Sequence, residues 1–242
     1  MNTPLSTARP PVGEDVEIYV LSKDRHRQRS TTLQTLKDSG LGPRVNLVVP
    51  HDQGEDYIKF SKHYQCARVL KCKADTLDKT RRAIGERASE KFILLDDDLE
   101  FFKDARPHAA RPIGEHFNNI LILVSRILDT CASCAITTRQ TIDNKIPGRP
   151  NRYGSKALAY RRRAFMQCDP PITKKHYHVD VAVQLAHMGY ENFLIEEFIC
   201  RQQSPIASMK GMNNDDEILL RKFKGIECNL TKAQRHALDD IL

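Results

Sequence analysis

Short apolar runs alternate along the chain with polar segments of helical spacing. Val16–Leu21 (VEIYVL), Val45–Val49 and Arg68–Cys72 read as strands, the second stopped by Pro50. The polar, basic SKDRHRQRS after the first strand ends in Ser30 or Thr31 as an N-cap, and Thr32–Ser39 reads as a helix closed by Gly40. Asp75–Ala88 is predicted helical, with Leu77, Ala83, Ile84 and Ala88 roughly on one face. Phe92–Leu95 is a continuous apolar run, the pattern of a strand covered on both faces. Beyond it, Ile113–Asp129 reads as an amphipathic helix, Cys131–Thr138 as a strand and Thr141–Arg152, with Pro147, Gly148 and Pro150, as a loop. Lys156–Phe165 reads as a strand crossing the sheet edge, His178–Met188 as a helix closed by Gly189, and Asn192–Ile199 as a strand. This alternation predicts βαβ units, a mainly parallel central sheet and a three-layer α/β/α architecture. Residues 1–14, rich in Pro, Ser and Thr, read as a flexible leader, and 15–242 as one domain.

The apolar run Phe92–Leu95 leads straight into Asp96, Asp97 and Asp98. Open α/β sheets bind ligands at the carboxyl ends of their strands. Three carboxylates against an apolar strand repel one another and lose hydration, so their ionised form needs water, donors or a cation. Mg²⁺ and Mn²⁺ are held by one or two carboxylates together with a substrate's phosphates, which points to a ligand carrying a diphosphate. The competing reading is a solvated turn that caps the next element.

Composition narrows the class. The chain has 242 residues and 40% hydrophobic content, enough for a sizeable core. No apolar run is long enough to span a bilayer and the N-terminus has no signal-type segment, so a cytoplasmic protein without membrane contact is expected. The seven cysteines are scattered without a disulfide framework, and Cys131 and Cys134, set in ASCAI, read as reduced core residues rather than a zinc or redox pair. The formal charge of +7 is uneven. Arg149, Arg152, Lys156, Arg161, Arg162, Arg163, Lys174 and Lys175 stand against Asp169 alone, while the rest of the chain is neutral. Such concentration favours a polyanion, with these eight residues as candidate nucleic-acid contacts; the alternative is a solvated basic loop.

The strand VEIYVLSKDR, the helix DTLDKTRRAIGERASEKF and the terminus LLDDD, in this order, resemble the nucleotide-sugar glycosyltransferases of the GT-A fold. The likeness covers Val16–Ile199 and implies a GT-A-like domain with a nucleotide-sugar half (15–105) and an acceptor half (106–242). In that family the first strand opens the nucleotide pocket, an arginine on the helix before the acidic strand supports the donor, and an Asp-x-Asp motif binds the metal diphosphate. The resemblance thereby implies donor contacts at Ser22, Arg25, Arg81 or Arg82, Asp96 and Asp97, with Asp96 and Asp98 as metal ligands. Lys210 is placed to meet the diphosphate, and Asp180, at the start of a later helix, to act as catalytic base. The usual acid before it is Val179 here, and Asp180 also suits a helix N-terminal charge.

The combination YVLSKDR, LVVP and LLDDDLEF is similar to the TET-associated glycosyltransferases of bacteriophages. That resemblance implies Mn²⁺ or Mg²⁺, a UDP-sugar donor, and transfer of a hexose such as glucose to 5-hydroxymethylcytosine in DNA, a base that must leave the stack to react. The rival readings are a glycosyltransferase with a protein or lipid acceptor, and a nucleic-acid-binding protein without catalysis. A sugar-phosphate nucleotidyltransferase would need a glycine-rich loop where SKDRHRQRS stands.

Overall fold

A computed structural model describes residues 13–74, 76–103, 111–138, 148–150, 154, 156–170 and 177–202. The strands are β1 (Val16–Leu21), β2 (Val45–Pro50), β3 (Arg68–Cys72), β4 (Lys91–Asp96), β5 (Leu99–Lys103), β6 (Arg111–Pro112), β7 (Ser133–Thr137), β8 (Gly148–Pro150), β9 (Lys156–Arg161) and β10 (Asn192–Gln202). The helices are α1 (Thr31–Asp38), α2 (Asp56–His63), α3 (Leu77–Arg87), α4 (Phe117–Thr130), α5 (Arg162–Phe165) and α6 (Tyr177–His187). The strands form one sheet in the order β3-β2-β1-β4-β9-β7-β10-β5-β6, with β8 also paired to β10. β3, β2, β1, β4, β7, β10 and the short β6 run one way, and β9, β5 and β8 the other, which gives the mainly parallel sheet that alternation implies.

Period-two alternation divides the core into two layers. Ile18, Val20, Leu47, Ile93 and Leu95 face Leu33 and Leu36 of α1, Tyr57 and Phe60 of α2, and Phe117, Ile120, Leu121 and Val124 of α4. Tyr19, Leu21, Phe92, Leu94, Leu158 and Tyr160 face Ile84 of α3, Phe165 of α5, and Tyr177, Val181 and Leu185 of α6. The middle of β4, Phe92–Leu95, is continuously apolar because both its faces are roofed by helices.

The chain leaves β1 for β2 and β3 on one side and returns to β4 on the other. A crevice at the carboxyl ends of β1 and β4 is the geometric result. At the opposite pole, Lys91 binds Asp15 and Asp129 at 2.7 Å each and donates to the Ser125 carbonyl at 3.0 Å, tying β4 to α4 and to the entry of β1. Burial pulls the Lys91 ammonium down, but Asp129 and Asp15 outweigh it and hold it above its ordinary value.

Two expectations are corrected. β9 lies inside the sheet between β4 and β7 rather than crossing an edge, and its strand ends at Arg161, where α5 begins. Gly148–Pro150, read as loop, pairs antiparallel with Phe193–Ile195. Gly148 permits the approach, since a Cβ there would lie 2.4 Å from the Leu194 carbonyl oxygen. The helix α2 and the strand β5 were not apparent in the sequence pattern; both are short, and β5 follows the aspartates after a tight turn.

Candidate active site

Leu21 is level with Asp96 across the β1–β4 ladder, so Ser22 and Asp97 leave the sheet side by side. Their side chains meet: the Ser22 hydroxyl donates to Asp97 Oδ2 and lies 2.8 Å from the Tyr57 hydroxyl. The Tyr57 hydroxyl in turn accepts from the Arg25 amide at 3.0 Å. The Arg25 guanidinium then reaches both inner carboxylates, 3.4 Å from Asp97 Oδ1 and 3.0 Å from Asp98 Oδ2. Gln202, the last residue of β10, donates to the same Asp98 oxygen at 3.1 Å.

Helix α1 fixes the backbone of the acidic turn. Ser30, its N-cap, accepts from the Leu33 amide and donates to the Asp97 carbonyl at 2.6 Å. Thr32 donates to the Asp96 carbonyl at 2.6 Å and accepts from the Leu99 amide at 2.8 Å. Four of the turn's backbone and cap groups are thus satisfied by two hydroxyls, and the carboxylates hold their directions.

The three carboxylates are not equivalent. Asp96 is half-buried and ion-paired to Lys156 at 3.1 Å. Asp97 is buried and fully engaged by Ser22 and Arg25. Asp98 is 5% exposed, and its Oδ1 is enclosed with no hydrogen-bond partner among the described residues. An unsatisfied buried carboxylate oxygen beside a second carboxylate fits a hard divalent cation. Among the described residues no three His, Cys, Asp or Glu side chains converge as a closed metal cage, so such a cation would take its remaining ligands from substrate phosphates and water.

Burial pushes the Asp97 carboxyl up to about 6; the Ser22 hydroxyl and Arg25 oppose this, and the charges of Asp98 and Asp96 add to it. The folded value lies above the unfolded one, so the fold favours the protonated acid. Its stabilising contribution is full below about pH 4 and is lost as pH rises through about 6. Asp97→Asn in chelator is therefore expected to gain on the parent by up to about 2 kcal/mol between those pH values. Thermal melts at pH 4 and pH 8 check this; equal differences at both refute it.

The cleft above the aspartates has a volume of about 630 Å³. Ser22, Arg25, Asp96, Asp97 and Asp98 line it with Val49, Pro50, Thr76, Thr80, Arg81, Lys156, Tyr177, His178 and Gln202. Arg81 and Arg82 point in different directions. Arg81 lines the cleft, with its guanidinium 4.4 Å from the Tyr177 ring centre and its Nε enclosed and without a hydrogen-bond partner among the described residues. Arg82 turns away and donates to the Cys168 and Met166 carbonyls at 2.7 and 3.2 Å. Arg82→Ala should therefore cost about 1–3 kcal/mol of stability with the KM for a nucleotide donor unchanged, whereas Arg81→Ala should raise that KM. Melting curves beside steady-state kinetics separate the two outcomes.

Asp180 is placed differently from the expectation of a catalytic base. It is fully buried in the first turn of α6, accepts from Gln184 Nε2 at 2.7 Å and does not line the cleft. Its neighbours Tyr177 and His178 do line it.

The basic segment is divided by the strand it contains. Lys156, at the start of β9, stands in the cleft, while Arg161 is level with Lys91 at the far end of β4, about 17 Å away at the rise of a strand. Arg162 caps α3 by donating to the Gly85 and Glu86 carbonyls at 3.0 and 2.9 Å. Arg161 donates to the Thr130 carbonyl at 3.4 Å, and Arg163 is exposed. Proximity in sequence is therefore not a shared patch: Arg161, Arg162 and Arg163 are at the pole opposite the aspartates. Arg149 lies in β8. Arg152, Lys174, Lys175 and Lys210 lie outside the described residues.

Tyr57, Ser30, Thr32 and Gln202 complete the site without having been singled out from the sequence. Only Ser30 carried a signal, as an N-cap. Among the described residues no helix is long and apolar enough to cross a membrane.

No protein-family model matches the chain, and no curated protein matches it in sequence. Solved structures do match. GalNAc-T7 with UDP, GalNAc and Mn²⁺ is similar at TM-score 0.54 and 11% identity, over 86% of this chain and 48% of that one. A mycobacterial protein is similar at TM-score 0.57 and 11% identity, over 90% of this chain and 76% of that one. The chain thus spans about half the length of GalNAc-T7. At this identity the likeness is one of fold, and strand order, helical layers and neighbours agree on it: the chain has the GT-A fold, a three-layer α/β/α arrangement around a mainly parallel sheet.

Proposed function

We propose that the chain is a metal-dependent glycosyltransferase that takes its sugar from a UDP-sugar. The observation that carries this is Asp98, whose enclosed Oδ1 has no partner among the described residues at the carboxyl end of β4, one residue beyond the Asp97 pinned by Ser22 and Arg25. The match to a GT-A structure holding UDP, GalNAc and Mn²⁺ supports the same ligand class.

Asp98 and Asp96 would hold Mn²⁺ or Mg²⁺, which supplies Lewis-acid stabilisation of the charge that grows on the departing diphosphate. Arg25 holds Asp98, a residue that lines the cleft, in place through Oδ2 and does not engage Oδ1. Ser22 and Tyr57 fix Asp97, whose carboxylate keeps Arg25 in register. Arg81 brings a second positive charge to the cleft, braced on the Tyr177 ring, where a phosphoryl or ribose oxygen of the donor can meet it. The proton of the acceptor hydroxyl must pass to a group that faces the cleft, which His178 does and the enclosed Asp180 does not.

For the acceptor we assign the hydroxymethyl oxygen of 5-hydroxymethylcytosine in DNA, with glucose as the sugar. The sequence resemblance carried by YVLSKDR, LVVP and LLDDDLEF supports this choice. The test is transfer of label from UDP-glucose and other UDP-sugars to DNA with and without hydroxymethylcytosine, in Mn²⁺, Mg²⁺ or chelator. Transfer that needs both cation and modified base is the expected result. Donor hydrolysis without transfer to DNA would move the acceptor to protein or lipid, and no turnover of any UDP-sugar would overturn the enzyme reading.

A further inference from the structure

Lys156 was counted above with a basic run, yet its side chain belongs to the acidic turn. The β4–β9 ladder ends at the Leu94–Leu158 pair; Asp96 lies two residues beyond Leu94 and Lys156 two residues before Leu158, and their side chains meet past the end of the ladder. The ammonium is 3.1 Å from Asp96 Oδ2, and both side chains are mostly withdrawn from solvent, at 21% and 27% exposure. The strand is distorted at this point. On its other side β9 pairs Ala135 with Leu158 but Ile136 with Lys156, so one extra residue, Ala157, is inserted as a bulge. Ala157 has φ of +48° and is buried, a conformation that a residue with a Cβ rarely adopts. Bulges beside sites redirect a side chain, and backbone strain persists where the surroundings over-determine it.

We propose that Lys156 is the resident counter-ion of Asp96, standing where a divalent cation's charge would otherwise be required, and that it makes cation binding dependent on the nucleotide. This rests on the metal-dependent reading of the site. Without a nucleotide, the ammonium neutralises Asp96 and repels a free divalent ion a few ångströms away. A UDP diphosphate offers the ammonium anionic oxygens in exchange, so that Asp96 is released to the cation and Lys156 grips the leaving group. No bond is made or broken in this exchange; two ion pairs are traded. The Ala157 bulge is the local cause, since it ends the ladder with β4 just before Lys156 and leaves that side chain in the cleft instead of in a regular strand.

The test is titration of Mn²⁺ into the full chain and into Lys156→Met, with and without UDP, following the free-Mn²⁺ paramagnetic resonance signal. The parent is expected to bind Mn²⁺ weakly alone and tightly with UDP. Lys156→Met should bind Mn²⁺ about tenfold more tightly than the parent without UDP, with the gain from UDP reduced. Lys156→Arg, which keeps the charge, should follow the parent. Lys156→Gln replaces Lys156→Met if circular dichroism shows that the latter is unfolded. Donor-free affinity equal to or weaker than the parent's in the neutral variant overturns the proposal while leaving a metal-dependent enzyme intact. Absence of Mn²⁺ binding by every variant, even with UDP and with Asp98→Ala as the matched control, overturns the metal reading and this proposal with it.

Discussion

Asp98→Ala is expected to abolish transfer, with kcat falling about a thousandfold or more, while the protein keeps its fold. The size follows from what the residue does alone. Asp96 has Lys156 as an alternative partner and Asp97 is consumed by Ser22 and Arg25, so Asp98 is the carboxylate with an oxygen left over for a ligand. Removing preorganised stabilisation of a leaving group's charge costs about two to three orders of magnitude for one neutral donor, and a metal ligand carries more than one such contact. The effect on folding should be small. The enclosed Oδ1 burdens the folded state, while Oδ2 accepts from Arg25 and Gln202, so the gain and the loss offset and the melting temperature should stay close to the parent's. Calorimetric Mn²⁺ binding in UDP, thermal melts and label transfer measured on one preparation check the three parts together. Retained turnover at a tenth of the parent's rate would remove Asp98 from the chemistry.

Arg25→Ala should damage both stability and activity, and the two losses should respond differently to pH. The guanidinium is the cation shared by two buried carboxylates, so its deletion leaves Asp97 and Asp98 facing each other in an enclosed site. Breaking a buried pair costs about 3–5 kcal/mol, and with Arg25 at 30% exposure about 2–3 kcal/mol is expected. Asp97 is already raised to about 6 by burial in the presence of Arg25, and without the arginine it takes up its proton at still higher pH. Protonation relieves the repulsion. The destabilisation should therefore be largest near pH 8 and shrink toward pH 5, whereas transfer, which needs ionised carboxylates, should not recover at the lower pH. Melts and initial rates at the two pH values read this directly, with Arg29→Ala, an exposed neighbour, as the control. A pH-independent loss of stability would mean that Arg25 acts through packing alone.

The parts of this fold that a strand pattern can carry were legible from the sequence. The apolar run ending at Asp96 announced a strand buried on both faces, and β1, β3 and β4 lie where periodicity places them. The parts set by pairing across the sheet were not. Nothing local in KALAYR distinguishes an internal strand from an edge strand, because its partners β4 and β7 are distant in sequence. The same blindness made one basic run of residues that the strand carries to opposite poles. Of the site, the acidic turn, Ser22 and Arg25 could be named because motif and first strand are local signals. Tyr57, Thr32 and Gln202 could not, since their contacts join segments 32 to 104 residues apart along the chain. For Asp180 the helix start was legible, but its burial and its contact with Gln184 depend on packing that the sequence pattern does not carry.

The lysine knot that joins Asp15, Ser125 and Asp129 through Lys91 lies a full strand length from the aspartates. Anchorage and chemistry are thereby segregated along the same strand, one at its entry and one at its exit. Side chains at the exit can therefore be replaced without loosening the rivet at the entry that keeps the scaffold shut.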